Sequence, residues 1–333
     1  MTNYKIDSSA RVIGETYLGN KAYIAQGTVL RGQDAPIKVG SSTMVLEKSV
    51  LISTKNNPLT VGRKTVFGHK CIGIGTNIGD LCEIGNGVIM LPGSKIGNMC
   101  IFGEGSLIPE NTLIPDESVV VGRPARVIRK LTDQDKNMIK RMRSGDISIK
   151  PGQLNLYDKH DNDNLSYRKK GDNMGKIYPY KDIYPQIADT AILYDSAEVT
   201  GDVIIGENTI IGAGVKIIGN SHGPVKIGNN VQILENSVLH LLPDNQLIIH
   251  DNVTIGPGCI IHGTNIGQGS VIESGAIVCD NSVLGENTLV KSGTLVKQNS
   301  SFSNNVILEG YMAKEVDKVS GNLERPSWAI TNL

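Results

Sequence analysis

The chain has 333 residues, with 33 basic and 33 acidic side chains, 38 glycines and 4% aromatic residues. This length allows two domains of ordinary size, and the lack of net charge disfavours binding to nucleic acid or to an anionic membrane surface. The five cysteines are scattered without CxxC spacing, the amino terminus lacks a signal-peptide pattern, and no apolar stretch is long enough to span a membrane. We therefore expect a cytoplasmic protein in a reducing compartment.

The chain carries a six-residue repeat. Every sixth residue from Val66 to Val120 is apolar, and the same step holds from Ile6 to Leu30 and from Ile260 to Val296. A period of six fits neither the 3.6-residue turn of an amphipathic helix nor the alternation of a simple strand. Three hexads can close a triangular coil with the apolar residues inside, and stacked coils bury one continuous core. We predict an all-β solenoid, because a sandwich of short strands does not keep this register over so many steps.

Five segments follow in chain order. They are a first β-helix at 1–126, a capping or packing helix at 127–145, a linker with little regular structure at 146–182, a second β-helix at 183–317 and a tail at 318–333.

A short α-helix is predicted after the first β-helix, near Asp133 to Arg143. Thr132 and Asp135 form a capping-box-like start, with Asp in place of Glu or Gln. Met138, Ile139 and Met142 share one face, and Gly145 can end the helix. We expect this helix to pack along the β-helix or against a neighbouring subunit.

The two halves align with an offset of 188 residues and without a gap from Pro36 to Arg126. For example, Gly75–Gly79 and Gly263–Gly267 both read Gly-Thr-Asn-Ile-Gly. A tandem duplication is the simplest explanation.

Several motifs resemble the gamma-class carbonic anhydrase family. They are the segment Leu30–Gly40, the segment Pro58–Gly62, the pair Gly68 and His69, and the segment Val121–Arg126 before a Leu-Thr-Asp helix. The resemblance covers both solenoids. It implies left-handed β-helices, which are an exception to the usual right-handed crossover, and trimer-type rings with zinc at the subunit interfaces. The wider hexapeptide acyltransferases share this fold, so the fold alone does not decide the function.

The resemblance also implies three zinc-binding histidines, and neither copy has all three. The first copy retains His69 but has Ile52 and Ile74 at the other two positions. The second copy retains His240 and His262. At the middle ligand position, which is occupied by His69 in the first copy, the second copy has Pro257.

The two copies are complementary, because in such trimers the first and last histidines come from one subunit and the middle one from its neighbour. His240 and His262 could therefore meet His69 of an adjacent first domain and leave a fourth position open, as in a catalytic zinc site. Zinc would then lower the pKa of bound water to about 7 for attack on carbon dioxide, with bicarbonate as the product. Iron or cobalt could replace zinc. Such a site requires a homo-oligomer that associates through the solenoid faces, in rings that mix the two domain types.

Three further residues belong to the predicted site. Arg31 matches the family arginine, although Gln33 stands where an Asp is expected. Glu47 and Glu235 occupy the second position of the family Gln-Asp pair, where a carboxylate can orient water or accept its proton. Each can equally be a carboxylate at a coil corner.

Two other functions remain open at this point. One is acyl transfer from coenzyme A, suggested by Gly122–Ala125, for which only His222 is placed as a base. The other is a metal-free assembly or scaffold protein with decayed sites, favoured by Ile52, Ile74 and Pro257.

Overall fold

The computed structural model describes residues 3–149, 157–160, 175–219 and 223–331. The chain divides into two compact units, Met1–Ser166 and Tyr167–Leu333. In each unit, short strands stack in parallel as a left-handed β-helix, and the part of the chain that is described contains one short helix. The all-β solenoid predicted from the six-residue repeat is confirmed.

The strands are short, and the longest of them lie near the start of the first unit. Those of the first unit are β1 (Lys5–Ile6), β2 (Arg11–Gly19), β3 (Tyr23–Ile24), β4 (Val29–Val39), β5 (Met44–Val45), β6 (Val50–Ile52), β7 (Leu59–Val61), β8 (Val66–Phe67), β9 (Ile72–Ile74), β10 (Asn77–Ile78), β11 (Glu83–Ile84), β12 (Ile89–Met90), β13 (Lys95–Ile96), β14 (Ile101–Phe102), β15 (Leu107–Ile108), β16 (Leu113–Ile114), β17 (Ser118–Gly122), β18 (Ala125–Lys130) and β19 (Tyr157–His160). Those of the second unit are β20 (Lys176–Tyr178), β21 (Gln186–Ile187), β22 (Ile192–Leu193), β23 (Glu198–Gly201), β24 (Val203–Ile205), β25 (Ile210–Ile211), β26 (Lys216–Gly219), β27 (Val225–Ile227), β28 (Gln232–Ile233), β29 (Val238–Leu239), β30 (Leu247–Ile249), β31 (Thr254–Ile255), β32 (Ile260–Ile261), β33 (Asn265–Ile266), β34 (Val271–Ile272), β35 (Ile277–Val278), β36 (Val283–Leu284), β37 (Leu289–Val290), β38 (Leu295–Val296), β39 (Ser301–Phe302), β40 (Val306–Glu309) and β41 (Lys314–Lys318).

Each coil contributes one strand to each of three faces. In the second unit the faces follow the orders β20-β23-β26-β29-β32-β35-β38, β21-β24-β27-β30-β33-β36-β39 and β22-β25-β28-β31-β34-β37-β40-β41. One residue of each short strand points into the core, so that Leu239, Ile261 and Val278 are stacked and fully buried. Their neighbours point outward, which brings side chains of successive coils into columns on each face.

One coil of each unit is a residue shorter than the repeat predicts. Coils such as that from Ile78 to Ile96 repeat at 18 residues, whereas Ile78 pairs with Val61 and Ile266 with Ile249, a step of 17. As a result Ile261 faces the core and Ile260, which the six-residue count places inside, is 40% exposed. The prediction for that position was wrong, because a uniform count does not detect a shortened corner.

The predicted helix is present as α1 (Asp133–Met142) and packs against the first β-helix. Thr132 accepts a hydrogen bond from the backbone of Asp135, whose carboxylate accepts one from the Thr132 backbone, so the capping box is formed. Ile139 is fully buried. Arg143 makes an ion pair with Glu83 and donates to the Lys64 carbonyl (2.6 Å), which fixes the end of the helix on the coils.

The segment between the β-helices differs from the prediction of little regular structure. Residues 157–160 form β19, which pairs antiparallel with β2, and β20 at 176–178 pairs with β23 and so begins the second β-helix before residue 183. Residues 150–156 and 161–174 of the predicted linker lie outside the described residues.

Equivalent residues of the two units make the same local contacts. Ser49 donates to the Gly68 carbonyl (2.7 Å) and accepts from the Cys71 amide (3.2 Å). The equivalent Ser237 donates to Gly256 (3.0 Å) and accepts from the Cys259 amide (3.1 Å). Within the described ranges, no helix has the length and apolar character needed to cross a membrane.

Candidate metal centre

Two histidines meet on one face of the second β-helix. His240 follows β29 and His262 follows β32, and these strands are neighbours in register. The His240 amide donates to the Ile261 carbonyl (3.0 Å), and the two ring centroids are 6.3 Å apart with an interplanar angle of 81°. The parallel ladder therefore brings together two of the three predicted ligands.

The carboxylate of Asp280 lies beside the ring of His262. Its Oδ2 lies 3.1 Å from Nδ1 of His262, and its side chain is 8% exposed while that of His262 is 34% exposed. Within the described part of the chain, Nδ1 of His262 has no aligned hydrogen-bond partner, but a carboxylate at this distance favours the tautomer with the proton on Nδ1. That tautomer leaves Nε2 of His262 available as a ligand or a base.

Asp280 is itself fixed by three donors to its other oxygen. Oδ1 accepts from the backbone amides of Leu242 (3.2 Å) and Gly263 (3.1 Å) and from the Asn245 side chain (3.2 Å). Such charge-assisted hydrogen bonds fix the carboxylate in one orientation. Asp280 was not predicted from the sequence. It lies one residue beyond Cys279, the position that a step of 17 residues places in register with His262.

The third predicted ligand lies in the first β-helix. Nδ1 of His69 is 2.6 Å from Oε2 of Glu47, and the two side chains are 50% and 40% exposed. Oε2 of Glu47 has no aligned hydrogen-bond partner among the residues described, so this contact is electrostatic and favours the proton on Nδ1 of His69.

The two isoleucines at the missing ligand positions are buried. Ile52 and Ile74 pair in register between β6 and β9, at the places that His240 and His262 take in the second unit, and both are fully buried. The first β-helix thus has apolar side chains where the second has imidazoles.

Arg31 and Glu235 are both buried, each 1% exposed. Arg31 lies in β4, in register with Ile52, and its carbonyl accepts from the Ser53 amide (3.1 Å). Glu235 lies at the corner after β28, and its carbonyl accepts from the Gly258 amide (2.8 Å). His222, the candidate base for acyl transfer, lies outside the described residues.

The second unit therefore offers two imidazole donors on one face. Among the residues that the structure describes, no three His, Cys, Asp or Glu side chains are grouped to hold a metal ion. Two imidazoles with a buried carboxylate beside one of them are donor types that fit zinc.

A family model named "Hexapeptide repeat of succinyl-transferase" matches residues 58–91 and 246–279, two ranges whose starts are separated by the 188-residue offset of the halves. The "Carbonic anhydrase" of Geobacillus kaustophilus is 44% identical over 106 residues, which are 32% of this chain and 58% of that protein. "Gamma carbonic anhydrase 1, mitochondrial" of Arabidopsis thaliana is 35% identical over 133 residues, 38% of this chain and 48% of that protein. "Protein YrdA" of Escherichia coli is 32% identical over 138 residues, 39% of this chain and 75% of that protein. The chain belongs to the gamma-carbonic-anhydrase-like family of hexapeptide-repeat proteins.

The similarity to the carbonic anhydrases covers only part of each protein. The chain spans about half the length of the first two carbonic anhydrase relatives, 58% and 48%. A solved hexapeptide transferase family protein of Anaplasma phagocytophilum is 28% identical, with a TM-score of 0.42, over 44% of this chain and 85% of that one.

Proposed function

We propose that this gamma-carbonic-anhydrase-like protein catalyses the reversible hydration of carbon dioxide at a zinc site shared between copies of the chain. His240 and His262 of one copy hold the ion together with His69 from the first β-helix of another copy. The observation that carries the proposal is the group of His240, His262 and the buried Asp280, which has the donor types of a catalytic zinc site.

The chain's own residues have separate tasks in this proposal. The nearby carboxylates of Asp280 and Glu47 favour the tautomers of His262 and His69 that present Nε2. Glu235 is the carboxylate left to accept a proton, since Glu47 is engaged by His69. Arg31 is almost fully buried, so we assign it to supporting β4 and not to contact with substrate. Zinc, when bound, supplies the Lewis acidity that makes water nucleophilic near neutral pH.

The decisive experiment is elemental analysis of the purified full chain combined with stopped-flow measurement of carbon dioxide hydration. We expect zinc to be bound and lost in His262→Ala and His240→Ala, and activity to be lost with it. His250→Ala is the matched control, because His250 contacts Asn265 (3.1 Å) and no residue of the site. Iron or cobalt in place of zinc would change the metal and leave the ligand set intact. A metal-free wild-type chain without hydration activity would rule out the proposal.

Acyl transfer from coenzyme A is the second candidate, because a histidine whose Nδ1 faces a buried carboxylate is also the arrangement of a general base. Calorimetric titration with coenzyme A distinguishes the two functions. Binding of coenzyme A by a metal-free chain would favour acyl transfer, and binding of neither ligand would favour an assembly protein.

A further inference from the structure

The C-terminal segment of the second unit, residues 319–331, is here called the strap. Its first amide, that of Val319, donates to the Asn305 carbonyl (2.9 Å), and the strap contains neither helix nor strand. Most of its residues are exposed, but Trp328, Ala329 and Ile330 at its end are 6%, 0% and 4% exposed. The strap is therefore ordered by what it docks on and not by its own secondary structure.

Two side-chain amides of the β-helix bind the strap through its main chain. Nδ2 of Asn287 donates to the Gly321 carbonyl (2.7 Å), and Oδ1 of Asn287 accepts from the Leu323 amide (2.8 Å). Nε2 of Gln232 donates to the Ile330 carbonyl (2.8 Å), and Oε1 accepts from the Ile330 amide (2.9 Å). A primary amide that gives one donor and one acceptor to a peptide backbone recognises extended chain whatever its side chains are.

The two side chains that bind the strap are present in the second unit and are replaced at the equivalent positions of the first. Gln232 is 1% exposed, although it points away from the core of the β-helix, and Thr254, its neighbour in register, is fully buried. The residues equivalent to Gln232 and Asn287 in the first unit are Met44 and Met99, which cannot pair with a peptide backbone.

The two tails leave their β-helices at the same point and then diverge. The Leu131 amide donates to the Glu117 carbonyl (2.9 Å), the same contact that Val319 makes with Asn305. In the first unit α1 follows, started by its capping box. In the second unit Gly321 and Pro326 stand in the corresponding stretch, and both disfavour a helix.

We propose that this surface of the second β-helix is a binding site for an extended peptide, held by the amides of Asn287 and Gln232 and anchored by a Trp-Ala-Ile end. The strap is its resident ligand, and the strap of a second copy can replace it. Replacement requires the loss of only local contacts, because the strap belongs to no sheet and its middle residues are exposed. Exchange of an identical element between copies is an inexpensive route to association.

The first test uses the full chain carrying Trp328→Ala and Ile330→Ala, which empties the site of its resident anchor. A fluorescein-labelled peptide of residues 319–333 should bind this chain with a saturable rise in anisotropy. Adding Gln232→Ala or Asn287→Ala to the chain should weaken that binding roughly tenfold, since each removes two hydrogen bonds worth together about one factor of ten. The matched control is Asn252→Ala, at the same corner and with the same left-handed backbone (φ 61°) as Asn287 (φ 55°).

No rise in anisotropy with a folded chain would overturn the proposal, and so would equal binding by the Gln232→Ala and Asn252→Ala chains. If the doubly substituted chain does not fold, a second measurement decides. Trp328 is the only tryptophan of the sequence, so acrylamide quenching of the otherwise unaltered chain reports on the strap alone. Quenching should increase in Gln232→Ala and Asn287→Ala but not in Asn252→Ala, and unchanged quenching in the first two would reject the assigned role of the amides.

Discussion

At the scale of single residues, Asp280 determines how His262 can act. Its Oδ2 faces Nδ1 of His262, and three donors fix its other oxygen. Asp280→Asn removes the charge and should let His262 populate the other tautomer, in which Nε2 carries the proton. We expect zinc affinity to fall by about 10- to 100-fold, the usual effect of losing the carboxylate partner of a metal-binding histidine. A competition assay with a chelating dye measures the affinity.

The tautomer itself can be read without zinc. Nitrogen-15 NMR of the metal-free chain should show Nδ1–H for His262 in the wild type and a shifted tautomer balance in Asp280→Asn. Asp244→Asn, an exposed position on the loop after β29, is the control. An unchanged His262 spectrum in Asp280→Asn would show that Asp280 does not set the tautomer, whether or not zinc is bound.

The reactivity of the cysteine thiols should depend on their burial. Burial raises the pKa of Cys71 and of Cys259 to about 12, and burial together with Asp280 raises the pKa of Cys279, which is partly exposed. Because the thiolate is the reactive form, native chain treated with iodoacetamide at pH 8 should leave Cys71 and Cys259 unmodified and label Cys279 slowly. Peptide mass mapping measures the labelling, with urea-unfolded chain as the fully reactive control. Rapid native labelling of Cys71 would contradict this prediction.

Site residues that belong to a recognisable motif could be predicted from the sequence. Residues that reach the site from a neighbouring coil could not. The pairing of His240 with His262 could be expected from their equivalent positions in adjacent coils. Asp280 could not be found by counting coils, because the 17-residue coil places Cys279 and not Asp280 in register with His262. The contact of Glu47 with His69 depends on side-chain rotamers, which a motif does not specify.

At the scale of elements, helix α1 is tied to the first β-helix by carboxylates. The Arg129 guanidinium and then the Thr132 backbone and hydroxyl hold the pKa of Asp135 below its usual range, and Lys64 and then Ser148 lower the pKa of Asp146 to about 2. A depressed carboxyl pKa stabilises the folded state above the unfolded pKa of about 3.9, and this stability is lost as the pH falls through the folded pKa.

Acid should therefore loosen the attachment of α1 between about pH 4 and pH 2. Asp146→Asn should lower the melting temperature at pH 6, and most of the difference from the wild type should be lost near pH 2, where about half of Asp146 in the wild type is protonated. Melting followed by circular dichroism at both values tests this. Asp189→Asn, on an exposed corner of the second unit, is the control, and a difference as large at pH 2 as at pH 6 would refute the electrostatic explanation.

Elements with a local signal were predictable, and those without one were not. The helix carries its capping residues and its stop within its own sequence, and Gly145 indeed adopts a left-handed backbone (φ 84°) after it. The β-helix coils carry their period. The strap has neither, since its order comes from Gln232 and Asn287, which lie 98 and 36 residues before their partners. Strand β19 likewise owes its existence to the edge of β2.

At the scale of the whole molecule, the proposed division of zinc ligands between the two units would determine which assemblies can bind the metal. A ring of first β-helices alone holds one histidine per interface, and a ring of second β-helices holds two. A complete three-histidine site requires a face of the second β-helix opposite a first β-helix of another copy. The outward-facing Ile260, 40% exposed beside His262, provides apolar surface for such a contact. We expect an oligomer by light scattering at micromolar concentration, and a monomer would rule out the shared site.

The strongest test is complementation between two inactive chains. His69→Ala should abolish zinc binding as completely as His262→Ala, because each removes one of three ligands. When the two variants are co-expressed, the His69→Ala chain supplies an intact His240 and His262 pair, and the His262→Ala chain supplies an intact His69. Random assembly should then restore about one quarter of the wild-type zinc, since each half of the site has an even chance of coming from the competent chain. Co-expression of His262→Ala with His240→Ala is the control, because neither chain supplies an intact pair. Zinc recovered only in the first mixture would locate the ligands on different copies, whereas full zinc retention by His69→Ala alone would separate that histidine from the site.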